Sequence, residues 1–395
     1  MLAAALLLYL LMYLRWPAFF FQPDVLVYRF GAQRVLDGAD PYSIGLTGNP
    51  RELLFIYSPF AALCFVPLTL LDQVSVEVAS LSAMFALASY PVWRMLKASG
   101  AAPGLWSLTA LLVGVSAWLE PVRLSVQLGQ INVAILAIVV ADLLSPKHCK
   151  WAGVGIGLVA GIKLTPALFI LYLLVIGRLR AAAVATATLV GTVLIGFAVL
   201  PSASRYYWFS NAFGDINRIS RDPFANTSVR GLVLRLHWPL VLATVLAVVL
   251  VSVSLVLAAI AYRRGHAVLA VAVVGMASAA ASPFSWSHHW VWFVPLIVHL
   301  GYRAYVLGRA RSALAMWMLC AVLASWFISF AGPSPSAGVL SLPAGGVWKD
   351  LLPGIYVFAF LAVLVCTGVW LWRLPVGPIT APQSRNAFSD IPTAV

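Results

Sequence analysis

Acidic side chains are scarce in this sequence: 12 Asp and Glu in 395 residues, within a charged fraction of only 9%. A soluble domain carries about 25% charged residues, so this chain cannot cover a water-facing surface. Hydrophobic residues make up 62% and the mean hydropathy is +0.96, which points to an all-α polytopic membrane protein. Cysteine is equally sparse. Cys64, Cys149, Cys320 and Cys366 show no CxxC spacing, and two of them fall inside apolar runs, so neither a disulfide framework nor a zinc site is indicated. The sequence holds no nucleotide-binding loop and no internal repeat. Its net charge of +13 comes from 25 Lys and Arg scattered singly and in pairs between apolar runs. That spacing serves membrane topology and argues against a nucleic-acid partner.

What is abundant is apolar sequence, and it divides into about twelve expected membrane segments. They lie near 1–21, 73–96, 104–119, 130–145, 151–162, 164–177, 181–200, 238–262, 266–281, 290–307, 312–330 and 351–372. The first, Met1 to Pro17, has no A-x-A cleavage site behind it and reads as a retained span. The pair at 151–177 is broken at Lys163-Leu164-Thr165-Pro166, a break that persists at membrane depth only in protein or against a water-filled cavity. Gly153, Gly157 and Gly161 are spaced for tight helix packing. Basic residues mark one set of short loops: Arg94 and Lys97, Lys147 and Lys150, Arg178 and Arg180, Arg263 and Arg264, then Arg303, Arg309, Arg311 and Arg373. The positive-inside rule makes these cytoplasmic. The longer loops 22–72, 120–129, 201–237, 282–289 and 331–350 then face outside a plasma membrane. Residues 1–373 form one transmembrane domain on this reading. The Pro/Gly/Ser-rich stretch 331–346 reads as a mobile external loop, and 374–395 as a disordered cytoplasmic tail.

Polar residues gather in those external loops. Asp24, Asp37 and Asp40 fall just after the first run, and Val25 to Leu36 has helical periodicity. This predicts an amphipathic helix on the bilayer surface, with Asp24 at its N-cap or free for chemistry. Asp37-Gly38-Ala39-Asp40-Pro41 reads as a helix stop and turn ahead of any metal site. Glu120, Arg123 and Gly129-Gln130-Ile131-Asn132 form a polar entry to the fourth run. Lys163 is a lone cation in apolar surroundings, costly to hold there and so a functional candidate. Asn226-Thr227-Ser228 matches a glycosylation sequon too short to weigh. Arg230 and Arg235 follow on what reads as a second surface helix. In Ser282 to Trp290, the adjacent His288 and His289 would point about 100° apart on a helix, which suits hydrogen bonding to an anion better than sharing a metal.

These motifs together carry a resemblance. Asp24, Tyr28, Gly38-Ala39-Asp40-Pro41-Tyr42, Tyr57-Ser58-Pro59-Phe60 and Pro67-Leu68 look like the start of glycosyltransferase family 87. The likeness continues through Gly129-Gln130-Ile131-Asn132, Gly161-Ile162-Lys163-Leu164-Thr165-Pro166, Asn226-Thr227-Ser228-Val229-Arg230-Gly231, Ser282-Pro283 and His288-His289-Trp290. It departs at Thr227, where the family favours Gln, and the last two runs match only in being apolar. The resemblance implies a GT-C membrane fold with amphipathic helices on the external face. It also implies a polyprenyl-phosphate-mannose donor, a glycolipid acceptor such as a phosphatidylinositol mannoside, lipomannan or lipoarabinomannan, and an α-1,2 product formed with inversion. It places the catalytic base at Asp24. Lys163, His288, His289 and Arg230 are the cations or N–H donors available to the leaving phosphate. Tyr28, Tyr57, Glu120, Gln130, Asn132, Asn226 and Trp286 are the expected substrate contacts, with no metal and no cofactor. The residues leave three alternatives open, a polyprenyl-phosphate-arabinofuranose donor, a membrane transporter, and a non-catalytic scaffold or lipid-binding protein.

Overall fold

The computed structural model describes residues 1–49, 51–101, 105–146, 149–210, 223–329 and 336–374. The tail from 375 onward, the loop tip 331–335 and Lys147 lie outside these. In chain order the helices are α1 Leu2–Arg15, α2 Pro23–Leu36, α3 Pro59–Cys64, α4 Gln73–Ala98, α5 Leu105–Ala117 and α6 Glu120–Leu128. There follow α7 Asn132–Leu143, α8 Val154–Ile162, α9 Leu168–Val175, α10 Leu179–Val199, α11 Pro201–Phe209 and α12 Val229–Arg235. The last six are α13 Leu240–Arg263, α14 Ala267–Ala281, α15 Phe293–Tyr305, α16 Ala310–Leu323, α17 Val347–Leu351 and α18 Ile355–Arg373. Two short strands, β1 Ile328–Ser329 and β2 Ser336–Ala337, pair antiparallel.

Each of the twelve apolar runs contains a helix, but their lengths differ. Among the described residues, α4, α10, α13 and the continuous stretch Val347–Arg373 are long and apolar enough to cross a membrane. A fifth crossing is added if α6 and α7, bent by 116° at their junction, count as one. The other apolar helices are shorter. At 1.5 Å per residue, the 14 residues of α1 reach about 21 Å against a hydrocarbon core of about 30 Å.

Two helices show opposite environments. Along α14, Val268 through Ala280 are all buried, because a helix of Ala, Val and Gly is slim enough to be surrounded. Gly275 lies against the Trp292 ring, where a Cβ would sit 2.1 Å from the nearest ring carbon. By contrast α13 turns Val241, Val245, Val248, Val253 and Val256 outward, as a lipid-facing surface requires. Most exposed tryptophans lie at helix ends, Trp106, Trp151 and Trp372 near the basic loops and Trp238, Trp326 and Trp348 next to the longer loops, while Trp317 is exposed within α16.

The glycine spacing on α8 is used as expected. A Cβ at Gly153 would lie 2.1 Å from the Ala181 carbonyl oxygen, and one at Gly157 would lie 2.3 Å from that of Ala185. Gly161 meets Thr192 in the same way, so α8 and α10 run side by side in the same direction, nearly backbone to backbone.

Three expectations need correction. The first concerns the N-cap of α2, which is Gln22 and not Asp24. Proline with its fixed φ starts a helix well at the first position, so Pro23 moves the start two residues earlier and leaves the Asp24 carboxylate free of capping. The second is that α2 does not rest its apolar side on lipid. Val25, Leu26, Val27, Tyr28 and Ala32 are buried in a separate protein core with Phe55, Tyr57, Ala61, Ala62 and Phe65. Gly31 admits the Phe55 ring, 2.4 Å from where a Cβ would stand. Periodicity identified the apolar face without identifying what covers it. Lastly, the stretch 331–346 is pinned where it is described. Glu120 Oε2 accepts from the Val339 N–H at 2.8 Å, and Arg123 donates to the Ala337 carbonyl at 2.7 Å.

The stop at the end of α2 is as expected. Gly38 has φ +67, its N–H donates to the Val35 carbonyl, and the Ala39 N–H donates to Arg34. That is a Schellman ending. The carboxylate of Asp40 accepts from the Tyr42 N–H at 3.0 Å, a turn contact.

Candidate active site

Four chain breaks converge on one polar cluster. Asp24 comes from the first turn of α2. Gln130 and Asn132 come from the α6–α7 junction, where Gly129 at φ +68 ends α6 and lets the chain swing through its bend. Lys163 holds an extended conformation between α8 and the tight turn Thr165–Ala167, with Pro166 preventing helix continuation. His288 and His289 lie in a single turn, Ser287–Trp290, ahead of α15.

Gln130 organises the acidic side. Its Oε1 accepts from the Tyr28 hydroxyl at 3.0 Å and from the Tyr57 hydroxyl at 3.3 Å, and the two hydroxyls are 3.0 Å apart. With the oxygen so used, the amide N–H₂ is the group that donates to the Asp24 carboxylate. Asp24 keeps some surface exposure, yet protein surrounds its carboxyl group. That desolvation lifts its pKa from 3.8 to about 6, against the opposing pull of the Gln130 hydrogen bond and the Lys163 charge.

Asn132 and His289 hold Lys163 on the basic side. Lys163 Nζ donates to Asn132 Oδ1 at 2.9 Å and lies 2.9 Å from His289 Nε2. Asn132 Nδ2 donates to the His288 carbonyl at 3.1 Å, which fixes the amide orientation. Lys163 also sits 5.8 Å above the Tyr57 ring centroid. Trp286 stacks on the His288 ring, centroids 5.5 Å apart, and meets His289 edge-on. His288 is 4% exposed, and its Nε2 is buried with no hydrogen-bond partner.

A cavity of about 340 Å³ opens beside this cluster. Its polar end is Tyr57, Lys163 and His289. Ile56, Ile162, Leu168, Tyr207, Val251 and Phe284 form apolar walls. The arrangement therefore offers a carboxylate, a cation and an apolar channel within one site.

Two sequence-predicted residues, Glu120 and Asn226, are engaged elsewhere in the fold. Glu120 is 1% exposed and belongs to a second buried cluster with Arg123, Val339 and the Tyr356 hydroxyl. Asn226 spends its side chain on structure: Oδ1 accepts from the Ser228 and Ser285 N–H groups, and Nδ2 donates to the Pro283 carbonyl. Arg230 is half-buried, and its Nε has no hydrogen-bond partner among the described residues. Sequence reasoning missed two residues. Ser285 Oγ faces His289 Nδ1 at 3.2 Å, and Tyr207 lines the cavity from α11. Ser285 stood within a motif already singled out, whereas nothing in the local sequence marked Tyr207.

Comparison with known proteins agrees with this chemistry. No solved structure matches the chain. A polyprenol-phosphate-mannose-dependent alpha-(1-2)-phosphatidylinositol mannoside mannosyltransferase of Mycobacterium tuberculosis is 31% identical, over 90% of this chain and 87% of that protein. The Mycolicibacterium smegmatis protein of the same name is 30% identical, over 88% and 83%. A polyprenol-phosphate-mannose-dependent alpha-(1-2)-phosphatidylinositol pentamannoside mannosyltransferase of M. tuberculosis is 32% identical, over 79% and 72%. The model of one family matches residues 55–283, a segment that carries Tyr57, Gln130, Asn132 and Lys163, and with similarity running along most of the chain this protein belongs to glycosyltransferase family 87.

Proposed function

We propose that the protein transfers mannose from polyprenyl-phosphate-mannose to a phosphatidylinositol mannoside or related glycolipid, forming an α-1,2 linkage. The observation that carries this reading is Lys163 lining an apolar cavity with the Asp24 carboxyl near enough to feel its charge. In a single displacement the acceptor hydroxyl oxygen attacks the anomeric carbon of the donor mannose. The bond from that carbon to the phosphate oxygen breaks, the electron pair leaves with polyprenyl phosphate, and configuration inverts. Asp24 takes the hydroxyl proton. A base with a pKa of about 6 is mostly ionised at neutral pH and closer to the working pH than an ordinary carboxylate, which favours proton transfer. Charge grows on the phosphate as the bond breaks. Lys163, which lines the cavity, is the group that meets it, and a cation fixed in advance stabilises such charge without reorganisation. The apolar walls suit the first isoprene units of the lipid.

The GT-C architecture with about twelve membrane helices, and an active site on the external face of the plasma membrane, belong to the same proposal. The grouping of Lys and Arg in one set of short loops supports that orientation. The test is transfer by purified protein in detergent. Labelled polyprenyl-phosphate-mannose and a phosphatidylinositol mannoside are supplied, and linkage analysis should find an α-1,2 mannose added. Transfer only from polyprenyl-phosphate-arabinofuranose, or no transfer from either donor, would overturn the reading.

A further inference from the structure

We infer that His289 is a positioning residue for Lys163 and not a ligand of the donor phosphate, and that Ser285 fixes the tautomer this requires. The inference rests on the proposed reaction for its purpose but not for its geometry. An ammonium group has three donors and no acceptor. Lys163 Nζ lies 2.9 Å from His289 Nε2, so that ring nitrogen accepts. The proton of the neutral imidazole is then on Nδ1, which faces Ser285 Oγ at 3.2 Å. Both nitrogens of His289 are thereby occupied.

Ser285 is itself held from three directions. Its N–H donates to Asn226 Oδ1, and its carbonyl accepts from the Thr227 N–H and from Thr227 Oγ1. Thr227 Oγ1 in turn accepts from the indole N–H of Trp290 at 2.9 Å. A clamped backbone thus fixes the serine, the serine fixes the imidazole, and the imidazole with Asn132 directs two of the three Lys163 N–H bonds. The third is left for the cavity that Lys163 lines. This gives the adjacent histidines different tasks. His289 aims the cation, whereas His288 packs its ring against Trp286 with Nε2 buried away from the cavity.

Tautomer and kinetics test this separately. In protein labelled with ¹⁵N-histidine, with the His289 signals identified by their loss in His289→Gln, nitrogen NMR at neutral pH should show protonated Nδ1 and accepting Nε2. A protonated Nε2, or an imidazolium, overturns the inference, and this holds whether or not mannose is transferred. Ser285→Ala should shift the His289 population toward the Nε2–H form. It should also raise the KM for the lipid donor by about 2- to 10-fold, the size of one hydrogen bond between neutral groups, while the KM for acceptor stays unchanged. A Ser285→Ala protein with the wild-type tautomer and donor KM would also overturn it. Failure of the wild type to transfer any mannose would instead count against the proposed function, with the tautomer result still standing.

Discussion

Replacing Asp24 by Asn separates a catalytic base from a structural carboxylate, because the two roles predict opposite changes in stability. Burial holds the carboxyl near 6, above its ordinary 3.8. A raised acid stabilises the fold only while protonated. That contribution is complete below about pH 3.8 and is lost as pH rises through about 6. At neutral pH the ionised wild-type side chain therefore weighs against folding. A shift of about two units at about 1.4 kcal/mol each gives about 3 kcal/mol, which the residual exposure of the side chain reduces to about 1–2 kcal/mol. Asn has nearly the same volume, can still bond to Gln130, and carries no charge. Asp24→Asn should thus unfold at a higher temperature than wild type at pH 7.5, with the difference vanishing near pH 4. Its initial rate of mannosyl transfer should fall by about 10²–10⁴. Thermal unfolding in detergent at one scan rate, read beside the transfer assay, measures both. In the wild type, kcat/KM should decline about tenfold per pH unit below about 6. A near-wild-type rate in Asp24→Asn would sink the argument, as would a loss of activity that merely tracks a lowered unfolding temperature.

Lys163→Ala should raise the donor KM and lower kcat together, since the leaving phosphate gains charge in the transition state; unchanged donor kinetics would return Lys163 to a structural role. Gly157→Ala should destabilise the fold by about 1–3 kcal/mol, because the added methyl would stand 2.3 Å from the Ala185 carbonyl oxygen, and a lowered unfolding temperature would register it. A cysteine placed at Lys97, in a background without the four native cysteines, should resist impermeant thiol reagents in intact cells; labelling there would reverse the proposed orientation. Arg123→Ala should lower stability by about 3–5 kcal/mol with donor KM unchanged, because Arg123 is buried in hydrogen bonds to Ser325 and Ala337 outside the active site.

Much of this site was legible because membrane sequence is chemically quiet. A lone Lys163 among apolar residues stands out, and the glycines at 153, 157 and 161 state their packing role through spacing alone. The turn at Gly38 was equally readable, since a Schellman ending is a local event. What escaped was tertiary. Periodicity showed that Val25 to Ala32 have an apolar side, but Phe55 and Tyr57, which cover it, come from a loop without regular pattern. Pro23 displaced the cap by two residues, from Asp24 to Gln22, a matter of helix start that both could have met. Glu120 looked external and free, yet its partners Val339 and Tyr356 lie more than two hundred residues away in the chain. Asn226 looked like a substrate contact because polar residues in such loops often are; its hydrogen bonds are spent within the fold.

The close seating of α8 on α10 bears on how deep the reaction happens. Gly161 meets Thr192, which lies seven residues before α10 ends at Val199. Two helical turns, about 10 Å, therefore separate the level of Lys163 from the far end of its neighbour. A lipid-borne substrate cannot choose its own height, because its phosphate floats where the headgroups are. On the proposed mechanism Lys163 has to stand at that height, and the glycine contacts of α8 with α10 set where it stands. A slip of α8 by one turn would carry Lys163 about 5.4 Å along the membrane normal, away from any phosphate at its former level. Selection on these glycines would then be selection on depth, and membranes of different thickness would favour different registers of the same two helices.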